Sequence, residues 1–290
     1  MEVEIVRADP AGNITVLVLS PVSDRRERAA LAAALLADPD LRAEQAGFVT
    51  PPEDGGLWHL EMAGGEFCGN AARAFGLFVA GQSGVTGRGT VMITISGAPR
   101  PLPVFVDTAA GTAGLAMSGP LAETSAVCGG FSFPVYVFDG ISHAIAENIQ
   151  PDERLLHSLR ESLDHPPAGL PADAGRPADA GCPADAGRLA DAGRPADALG
   201  VMFYDSGRRF MRPLVWVRAT GTTVFESSCG SGSAALGVWL ARNVRDGGET
   251  RSLAQPGGTI ETRVLKRGGR VQRISIGGKV GLGGPVRYGR

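Results

Sequence analysis

The sequence predicts an α+β protein built of two similar halves that face each other across a cleft. Three observations lead to this prediction. The 290-residue chain is 43% hydrophobic and 20% charged, which is enough to bury one large core or two smaller ones. Strand-like and helix-like segments follow the same order twice along the chain. Each half also carries a Cys-Gly turn, at Cys68 and at Cys229, directly before an apolar helix.

Alternating apolar residues begin the first half and predict a strand. Ser23 and Asp24 follow as candidate N-caps of a helix rich in alanine and leucine. The elements predicted in order are a strand over 14–19, a helix ending at about 36, a strand over 58–62, a helix over 71–79, and strands over 90–96 and 102–106.

The second half repeats this order, which indicates an internal duplication. Its apolar helix follows the Cys229 turn, as the helix of the first half follows Cys68. The predicted elements are a strand over 133–138, a helix over 152–163, strands over 215–217 and 223–225, a helix over 234–243, and strands over 259–265 and 271–276.

A low-complexity insert interrupts the second half over about 166–200. Within it, residues 171–200 form five six-residue units of the PADAGR type. The period fits neither a helix nor a strand, and each unit carries Pro or Gly. We interpret the insert as a tandem expansion in a surface loop, with a Pro/Ala linker as the alternative. Cys182 replaces an Arg of the repeat and is taken as incidental.

Charge and cysteine usage exclude several classes of protein. The net charge of −2 argues against general nucleic-acid or anionic-membrane binding, which needs a basic field. No apolar run approaches the roughly 18 residues of a membrane span. The acidic start, Met1–Val6, does not resemble a secretory signal, so four cysteines indicate cytoplasmic thiols. No C-x-x-C pair occurs and the four histidines are scattered, so we predict no metal site.

The two Cys-Gly turns carry the chemistry. A helix N-terminus offers free N–H groups and a positive dipole end, which can lower a thiol pKa and bind a carboxylate. Paired across a cleft, Cys68 and Cys229 would flank one carbon atom. One thiolate removes its proton and the other thiol returns a proton to the opposite face, which inverts the stereocentre without a cofactor. A redox disulfide switch is the alternative. Cys128 is interpreted as a small buried hydrophobe.

At these residues the chain resembles the diaminopimelate epimerase-like superfamily of cofactor-independent racemases. Within it, the chain is most similar to the histidine racemases of opine-type (staphylopine-like) metallophore pathways. The superfamily motifs are Gly12-Asn13, E-F-C-G-N-A-A-R at 66–73 and S-C-G-S-G at 228–232. The segments similar to the histidine racemases are P-A-G-N-I-T-V-L-V at 10–18, E-Q-A-G-F at 44–48, G-G-E-F-C-G-N-A at 64–71, F-E-S-S-C-G-S-G at 225–232 and Q-P-G-G-T-I at 255–260.

The resemblance implies the fold and the activity in more detail. Each half would be a curved, mainly antiparallel sheet around a central helix. The halves would span 1–120 and 130–276, with about 277–290 returning to the first. The substrate would be L-histidine, converted to D-histidine for a metallophore, with no cofactor and no metal. The protein would be a cytoplasmic homodimer.

The resemblance also assigns site residues. Cys68 and Cys229 would be the catalytic acid/base pair. Backbone N–H groups of Gly69-Asn70 and Gly230-Ser231 would hold the α-carboxylate. Asn13 and Gln45 would line the cleft.

Two departures from the diaminopimelate epimerases bear on the substrate. Their Glu-Arg-Gly is replaced here by Ala219–Thr222, and their Asn-Pro-His by Ile141-Ser142-His143. The second amino-acid group of diaminopimelate, which is zwitterionic, would find no polar partners here. We therefore reject diaminopimelate as the substrate. We interpret His143 as a hydrogen-bonded residue between a strand and a helix. Arg73 is interpreted as structural.

Three glutamates flank the motifs. Any of them could pair with an imidazole or another basic side chain, although each singly is better explained as a cap, a turn partner or a solvated carboxylate. They are Glu44, Glu66 and Glu226, of which the first and last are taken as candidate substrate-binding residues.

Other functions stay open from the sequence. A proline or hydroxyproline racemase would use the same paired thiols with a smaller, more apolar pocket. The phenazine-pathway isomerases share the fold, but the presence of both thiols argues against them. A metabolite-binding protein that kept the cleft would not need both thiols.

Overall fold

The computed structural model describes residues 2–53, 55–164, 197–218 and 220–289. The first half contains β1 (Glu2–Asp9), β2 (Thr15–Val18), α1 (Arg25–Ala37), β3 (Gln45–Thr50), β4 (Trp58–Met62), α2 (Gly69–Gln82), β5 (Arg88–Ile95), β6 (Leu102–Asp107) and β7 (Thr112–Met117). The second contains β8 (Ala122–Cys128), β9 (Phe131–Val137), β10 (Ile141–Glu147), α3 (Glu153–Asp164), β11 (Ala198–Asp205), β12 (Phe210–Val217), β13 (Thr222–Phe225), α4 (Gly230–Leu240), β14 (Gly247–Gln255), β15 (Gly258–Arg267), β16 (Arg270–Lys279), β17 (Gly281–Leu282) and β18 (Val286–Gly289).

The strand pairings repeat between the halves. In the first half β1–β2 is antiparallel, β2–β3 parallel across α1, β3–β4 antiparallel and β4–β5 parallel across α2, and β5, β6 and β7 form an antiparallel run. The second half repeats these relations with β9, β10, α3, β11, β12, α4, β14, β15 and β16. Strands β7 and β16 pair antiparallel and join the halves. The predicted pseudo-symmetric, mainly antiparallel α+β fold is therefore confirmed.

Helices α2 and α4 are the central helices. Residues Gly69–Ala80 of α2 are all buried, and α4 is buried along most of its length. A helix that is apolar all round must lie inside the fold. Helix α2 packs against β5, β6 and β7, and α4 packs against β15 and β16. Both helices start earlier than predicted, because each begins at the glycine directly after the cysteine.

Helices α1 and α3 cover the outer faces of the two sheets. Leu35 of α1 packs in one small cluster, and Leu156 and Leu159 of α3 pack in another. None of the described helices is long and apolar enough to cross a membrane. The C-terminal strands β17 and β18 pair with β1. The boundaries 1–120 and 130–276 stay predictions.

The predicted end of the insert, at about residue 200, overlaps the start of strand β11 at Ala198. Residues 165–196, with Cys182 and most of the repeat, lie outside the described residues. The end of the last repeat unit, however, begins β11, which pairs in parallel with β10. Leu199 is buried in the core below α3. A Cβ at Gly200 would lie 2.3 Å from Nδ1 of His143, so this glycine makes room for the histidine ring. Repeat-like residues therefore serve as strand residues here.

Removing the N-cap of α1 should destabilise the fold by about 1 kcal/mol. Asp24 accepts hydrogen bonds from the backbone N–H groups of Arg26 and Glu27, as its predicted capping role requires. We expect Asp24→Ala to lower the urea midpoint, with Asp24→Asn restoring most of the loss because asparagine also caps. Equal unfolding midpoints for wild type and Asp24→Ala would contradict a stabilising cap.

Candidate active site

The two cysteines are the N-caps of the two central helices. The Sγ of Cys68 accepts a hydrogen bond from the N–H of Ala71 at 3.4 Å, and the Sγ of Cys229 accepts one from the N–H of Gly232 at 3.4 Å. The backbone angles are φ −126° and ψ 116° at Cys68, and φ −126° and ψ 117° at Cys229. The duplicated chain thus presents one thiol geometry twice.

The two Cys-Gly turns lie against each other. A Cβ added at Gly69 would lie 3.0 Å from Cδ1 of Ile276, and one added at Gly230 would lie equally close to the same atom. A Cβ at Gly230 would also lie 3.5 Å from Oδ1 of Asn70. A side chain at either position would crowd the end of the Ile276 side chain, so both positions favour glycine. The structure therefore brings the two predicted helix starts together.

A polar network joins the halves between these turns. Asn70 is 1% exposed, and its Nδ2 lies 3.3 Å from Oδ1 of Asn13 and 3.3 Å from Oγ of Ser228. Ser228 directly precedes Cys229. The Asn13 oxygen lies 4.0 Å from the Sγ of Cys68. Asn13 and Asn70, both predicted from the sequence, therefore lie beside the thiols, although Asn70 uses its side chain to bridge the halves.

Two of the three flanking glutamates reach this network. Glu44 accepts hydrogen bonds from Nδ2 of Asn13 at 2.6 Å and from the N–H of Ser227 at 3.2 Å. Glu226 lies close enough to both sulfurs that its charge raises the pKa of each thiol. Burial raises the pKa of Glu226 itself to about 7. Glu66 is exposed and takes no part.

Burial reverses the expected effect of the helix ends on the thiols. Burial raises the pKa of Cys68 to about 11, although the Ala71 N–H and the Gln45 side chain lower it. Burial also raises the pKa of Cys229 well above its ordinary value, and the Glu226 charge adds to this. The expectation that helix N-termini bring these thiols toward neutrality is wrong for the substrate-free site, because desolvation of the thiolate outweighs the N–H groups.

Gln45 offers an unused hydrogen-bond acceptor at the site. It is the first residue of β3, and its side chain reaches the Cys68 sulfur. Its Oε1 is buried without a hydrogen-bond partner among the described residues. Buried polar atoms are rarely left unpaired, so this oxygen is a candidate acceptor for a donor on the substrate.

His143 lies on strand β10 rather than in a connection between strand and helix, which corrects the sequence interpretation. It is fully buried, and burial lowers its pKa to about 3, so the ring is neutral. Its Nε2 lies 2.9 Å from Oγ of Ser231, which in turn lies 3.6 Å from the Sγ of Cys229. Ser231 therefore supports Cys229 through its side chain as well as lying at the helix start.

Gln255 is a further site residue, which was not predicted from the sequence. Its Oε1 accepts a hydrogen bond from the N–H of Cys229 at 2.8 Å, and its Nε2 donates to Oγ of Ser233 at 2.9 Å. Ser233 donates to the carbonyl oxygen of Cys229 at 2.6 Å. Gln255 thus holds the backbone of the second cysteine from a different strand. The similarity of the segment Q-P-G-G-T-I at 255–260 to the histidine racemases pointed to this region, but it assigned no role to Gln255.

Two glycines bring the halves into backbone contact beside the site. A Cβ at Gly12, which has φ +84°, would lie 2.3 Å from Cα of Gly257. A Cβ at Gly257 would lie 2.5 Å from Cα of Gly12 and 2.6 Å from the carbonyl oxygen of Ala11. The N–H of Gly257 also donates to the carbonyl of Ser227 at 2.8 Å. The loop before Asn13 is therefore fixed against the turn after Gln255.

The region that replaces the Glu-Arg-Gly of diaminopimelate epimerases lies away from the thiols. Thr220, Gly221 and Thr222 are exposed, and Ala219 lies outside the described residues. Within the described part of the chain, no group of three or more His, Cys, Asp or Glu side chains is arranged to hold a metal ion.

Titration of Glu226 should make the folded protein less stable as pH rises. Its pKa moves from the ordinary 4.5 to about 7 on folding, so between these values the folded state binds a proton that the unfolded chain has lost. The contribution of Glu226 to stability is therefore lost as pH rises through this window, whereas the buried, neutral His143 contributes stability that is gained as pH rises toward its ordinary pKa of 6.5. Glu226→Gln removes the first contribution, so the free energy of unfolding measured in urea should rise more steeply with pH in this variant than in wild type. Identical slopes in both proteins would contradict the shifted pKa.

Comparison with known proteins identifies related sequences over most of the chain. The model of the histidine racemase CntK N-terminal domain matches residues 2–162 and 184–284. A histidine racemase of Fusobacterium nucleatum is 29% identical over 269 residues, which cover 89% of this chain and 87% of that protein. A histidine racemase of Staphylococcus aureus is 24% identical over 263 residues, with 89% and 87% covered.

Solved structures share the fold at low sequence identity. A phenazine biosynthesis protein of the PhzF family from Bacillus anthracis superposes with a TM-score of 0.65 at 10% identity, covering 99% of each chain. A hydroxyproline epimerase from Agrobacterium vitis superposes with a TM-score of 0.60 at 14% identity, covering 99% of this chain and 92% of that one. These similarities concern the fold alone.

Proposed function

The chain belongs to the histidine racemase family, and from this premise we propose that it is an isomerase that interconverts L- and D-histidine without a cofactor. One observation carries the proposal. Two cysteines cap facing helices with the same backbone geometry, Cys68 on one half and Cys229 on the other. Inversion of a carbon needs one group that removes a proton and one on the opposite face that supplies a proton, and this pair offers both.

The proposed reaction has two proton transfers. One cysteine thiolate removes the α-proton, forming an S–H bond while the electron pair of the broken C–H bond moves onto the carboxylate. The opposite thiol then donates its proton to the other face of the α-carbon and becomes a thiolate. The charge on the substrate is unchanged, and the two sulfurs have exchanged roles. The reverse reaction starts from this second state.

The helix starts supply the binding site for the carboxylate in this proposal. The first N–H groups of a helix have no acceptor within the helix. Those of Asn70 and Ser231, with the neighbouring glycines, would donate to the substrate carboxylate, and the positive dipole ends would stabilise the enediolate. Glycine at 69 and 230 permits this close approach, since a Cβ at either position would lie 3.0 Å from Cδ1 of Ile276.

The substrate itself would lower the thiol pKa values. In the substrate-free site burial raises both thiol pKa values. An α-ammonium group beside the sulfurs introduces a positive charge, which favours a thiolate. The unpaired Oε1 of Gln45 is a suitable acceptor for an N–H of that group. We therefore propose that ionisation accompanies substrate binding.

Glu44 and Glu226 would bind the imidazole. Both lie beside the thiol network, and Glu226 has a pKa of about 7, close to the ordinary pKa of histidine near 6.5. Two groups with similar pKa values can share a proton. An N–H of the imidazole ring would therefore donate a hydrogen bond to one of these two carboxylates. Two carboxylates suit a basic ring better than the apolar ring of proline.

The pathway and assembly are proposed from the family alone. D-histidine would serve an opine-type metallophore, the enzyme would act in the cytoplasm, and the chain would form a homodimer.

A substrate panel tests the proposal. Purified protein is incubated with L-histidine, L-proline, L-alanine or LL-diaminopimelate without pyridoxal phosphate, and the stereoisomers are separated by chiral chromatography. We expect D-histidine to accumulate toward a 1:1 mixture, with little turnover of the others and a greatly reduced rate for a Cys68→Ser control. Turnover of proline in preference to histidine would overturn the substrate assignment. A folded, reduced protein that turns over no amino acid would overturn the function.

A further inference from the structure

Arg73 is a buried cation on the helix that Cys68 caps. It lies on α2, five residues after Cys68, and is 0% exposed. Burial lowers the pKa of Arg73 to about 10, and the charge of the Cys68 sulfur acts in the opposite direction. Apart from the neutral His143, the other buried basic side chain in the described part of the chain is Lys266, whose Nζ donates to the carbonyls of Ala241 and Arg242. Those carbonyls lie at the negative end of α4, which explains the position of Lys266 structurally.

No comparable explanation accounts for the charge of Arg73. Its Nη2 donates to Oδ1 of Asn70 at 2.9 Å and its Nη1 to the carbonyl of Ala113 at 3.4 Å, while Nε has no partner among the described residues. None of the ion pairs formed by the described residues includes it. A buried charge that meets only neutral acceptors is costly. The nearby group able to become an anion is Cys68.

Arg73 also determines how Asn70 is oriented. A guanidinium only donates hydrogen bonds, so the amide oxygen of Asn70 must face Arg73. The amide nitrogen then points toward Asn13 and Ser228, to which it donates. Since Asn13 lies beside Cys68 and Ser228 precedes Cys229, one guanidinium fixes the amide that links both thiol segments.

The charges around the two thiols are unequal. For Cys229, the Glu226 carboxylate is the largest influence that opposes ionisation after burial. For Cys68, the Ala71 N–H and the Gln45 side chain oppose the effect of this carboxylate, and the buried Arg73 on the same helix is linked to the sulfur through Asn70 and Asn13. Negative charge is therefore better tolerated at Cys68.

We propose that Arg73 is a positioning residue that favours the thiolate on Cys68 over Cys229 and holds Asn70 between the two halves. This proposal rests on the two-thiol function above. It assigns the resting enzyme the state in which Cys68 is the base and Cys229 the acid. Arg73 acts through Asn70 and through its charge, without contacting the reacting carbon.

Residue-resolved alkylation tests the proposal. Substrate-free protein is treated with iodoacetamide, and the rates at Cys68 and Cys229 are measured by mass spectrometry of the peptides. Cys68 is partly exposed and Cys229 is buried, so the ratio in each variant is divided by the wild-type ratio, which removes this difference in access and leaves the change in relative thiolate population. We expect Arg73→Met to lower the Cys68 to Cys229 ratio about tenfold, which corresponds to one pKa unit, and Arg73→Lys to retain most of it.

The matched control is Lys266→Met, which removes the other buried cation. It should lower the thermal midpoint without changing the alkylation ratio. If Arg73→Met does not fold, Asn70→Asp is used instead, because a carboxylate in contact with Arg73 neutralises its charge and should lower the same ratio. Arg73 variants that resemble Lys266→Met in both measurements would overturn the proposal. The alkylation ratio does not depend on turnover, so a failure of the racemase assignment is recognised separately by the substrate panel.

Discussion

Cys68→Ser and Cys229→Ser should each lower kcat/KM for histidine racemisation by about 10³-fold, within the range expected for loss of an acid or base. The loss should appear in both directions, because each direction uses one sulfur as base and the other as acid. A serine hydroxyl ionises far less readily than a thiol, so it cannot replace either. Initial rates from L- and D-histidine measure the effect.

Both serine variants should keep the fold. Each cysteine is an N-cap whose sulfur accepts a backbone hydrogen bond, and serine is a preferred N-cap. Cys128→Ser, at the end of β8, is the control, since Cys128 lies in a different hydrophobic cluster from the two site cysteines. It should leave the rate unchanged. A folded Cys68→Ser or Cys229→Ser enzyme with more than about a tenth of wild-type activity would contradict the two-thiol mechanism.

Gly257→Ala should lower kcat/KM about 100-fold, the loss expected when catalytic groups are displaced by roughly 1 Å. The new methyl group would lie 2.5 Å from Cα of Gly12, so the loop that carries Asn13 must move away from the second half. That displacement would disturb Asn13 and Asn70 together.

Gly119→Ala is the matched control for this substitution, because a Cβ at Gly119 meets nothing within 4 Å. Rates and thermal midpoints are compared for both variants. We expect Gly119→Ala to match wild type, and Gly257→Ala to lose much more activity than stability. Wild-type kinetics for Gly257→Ala would show that the contact between Gly12 and Gly257 does not position the site.

The sequence alone predicts the duplicated fold and the thiol pair because both depend on local patterns. A strand, a Cys-Gly turn and an apolar helix recur in each half, and the structure repeats every strand relation around them. Asp24 was likewise identifiable as a cap from its place before the Ala-rich helix.

The remaining features depend on contacts between distant segments. Gln255, at the end of β14, holds the backbone of Cys229, and the similarity of its segment to the histidine racemases does not reveal this contact. The pKa of Cys68 rises because the folded halves exclude water, whereas the helix end by itself would lower it. The apparent end of the repeat contributes Leu199 to the core, which composition could not indicate.

The surroundings of Arg73 likewise depend on contacts that the sequence pattern does not show. In the sequence it is an ordinary polar residue on a helix, which indicates a structural role. In the folded chain it is fully buried against Asn70. Only the packed structure shows that this charge lies among neutral acceptors.

The central claim is that two cysteines act from opposite faces of one carbon. Wild-type protein is incubated with L-histidine in D₂O, and both enantiomers are separated early and analysed for α-deuterium. We expect deuterium in D-histidine, while the remaining L-histidine keeps its α-proton. One thiolate removes the proton, and the thiol on the opposite face, which has exchanged with the solvent, supplies deuterium. Equal early labelling of both enantiomers would indicate a single exchanging base and would contradict the account.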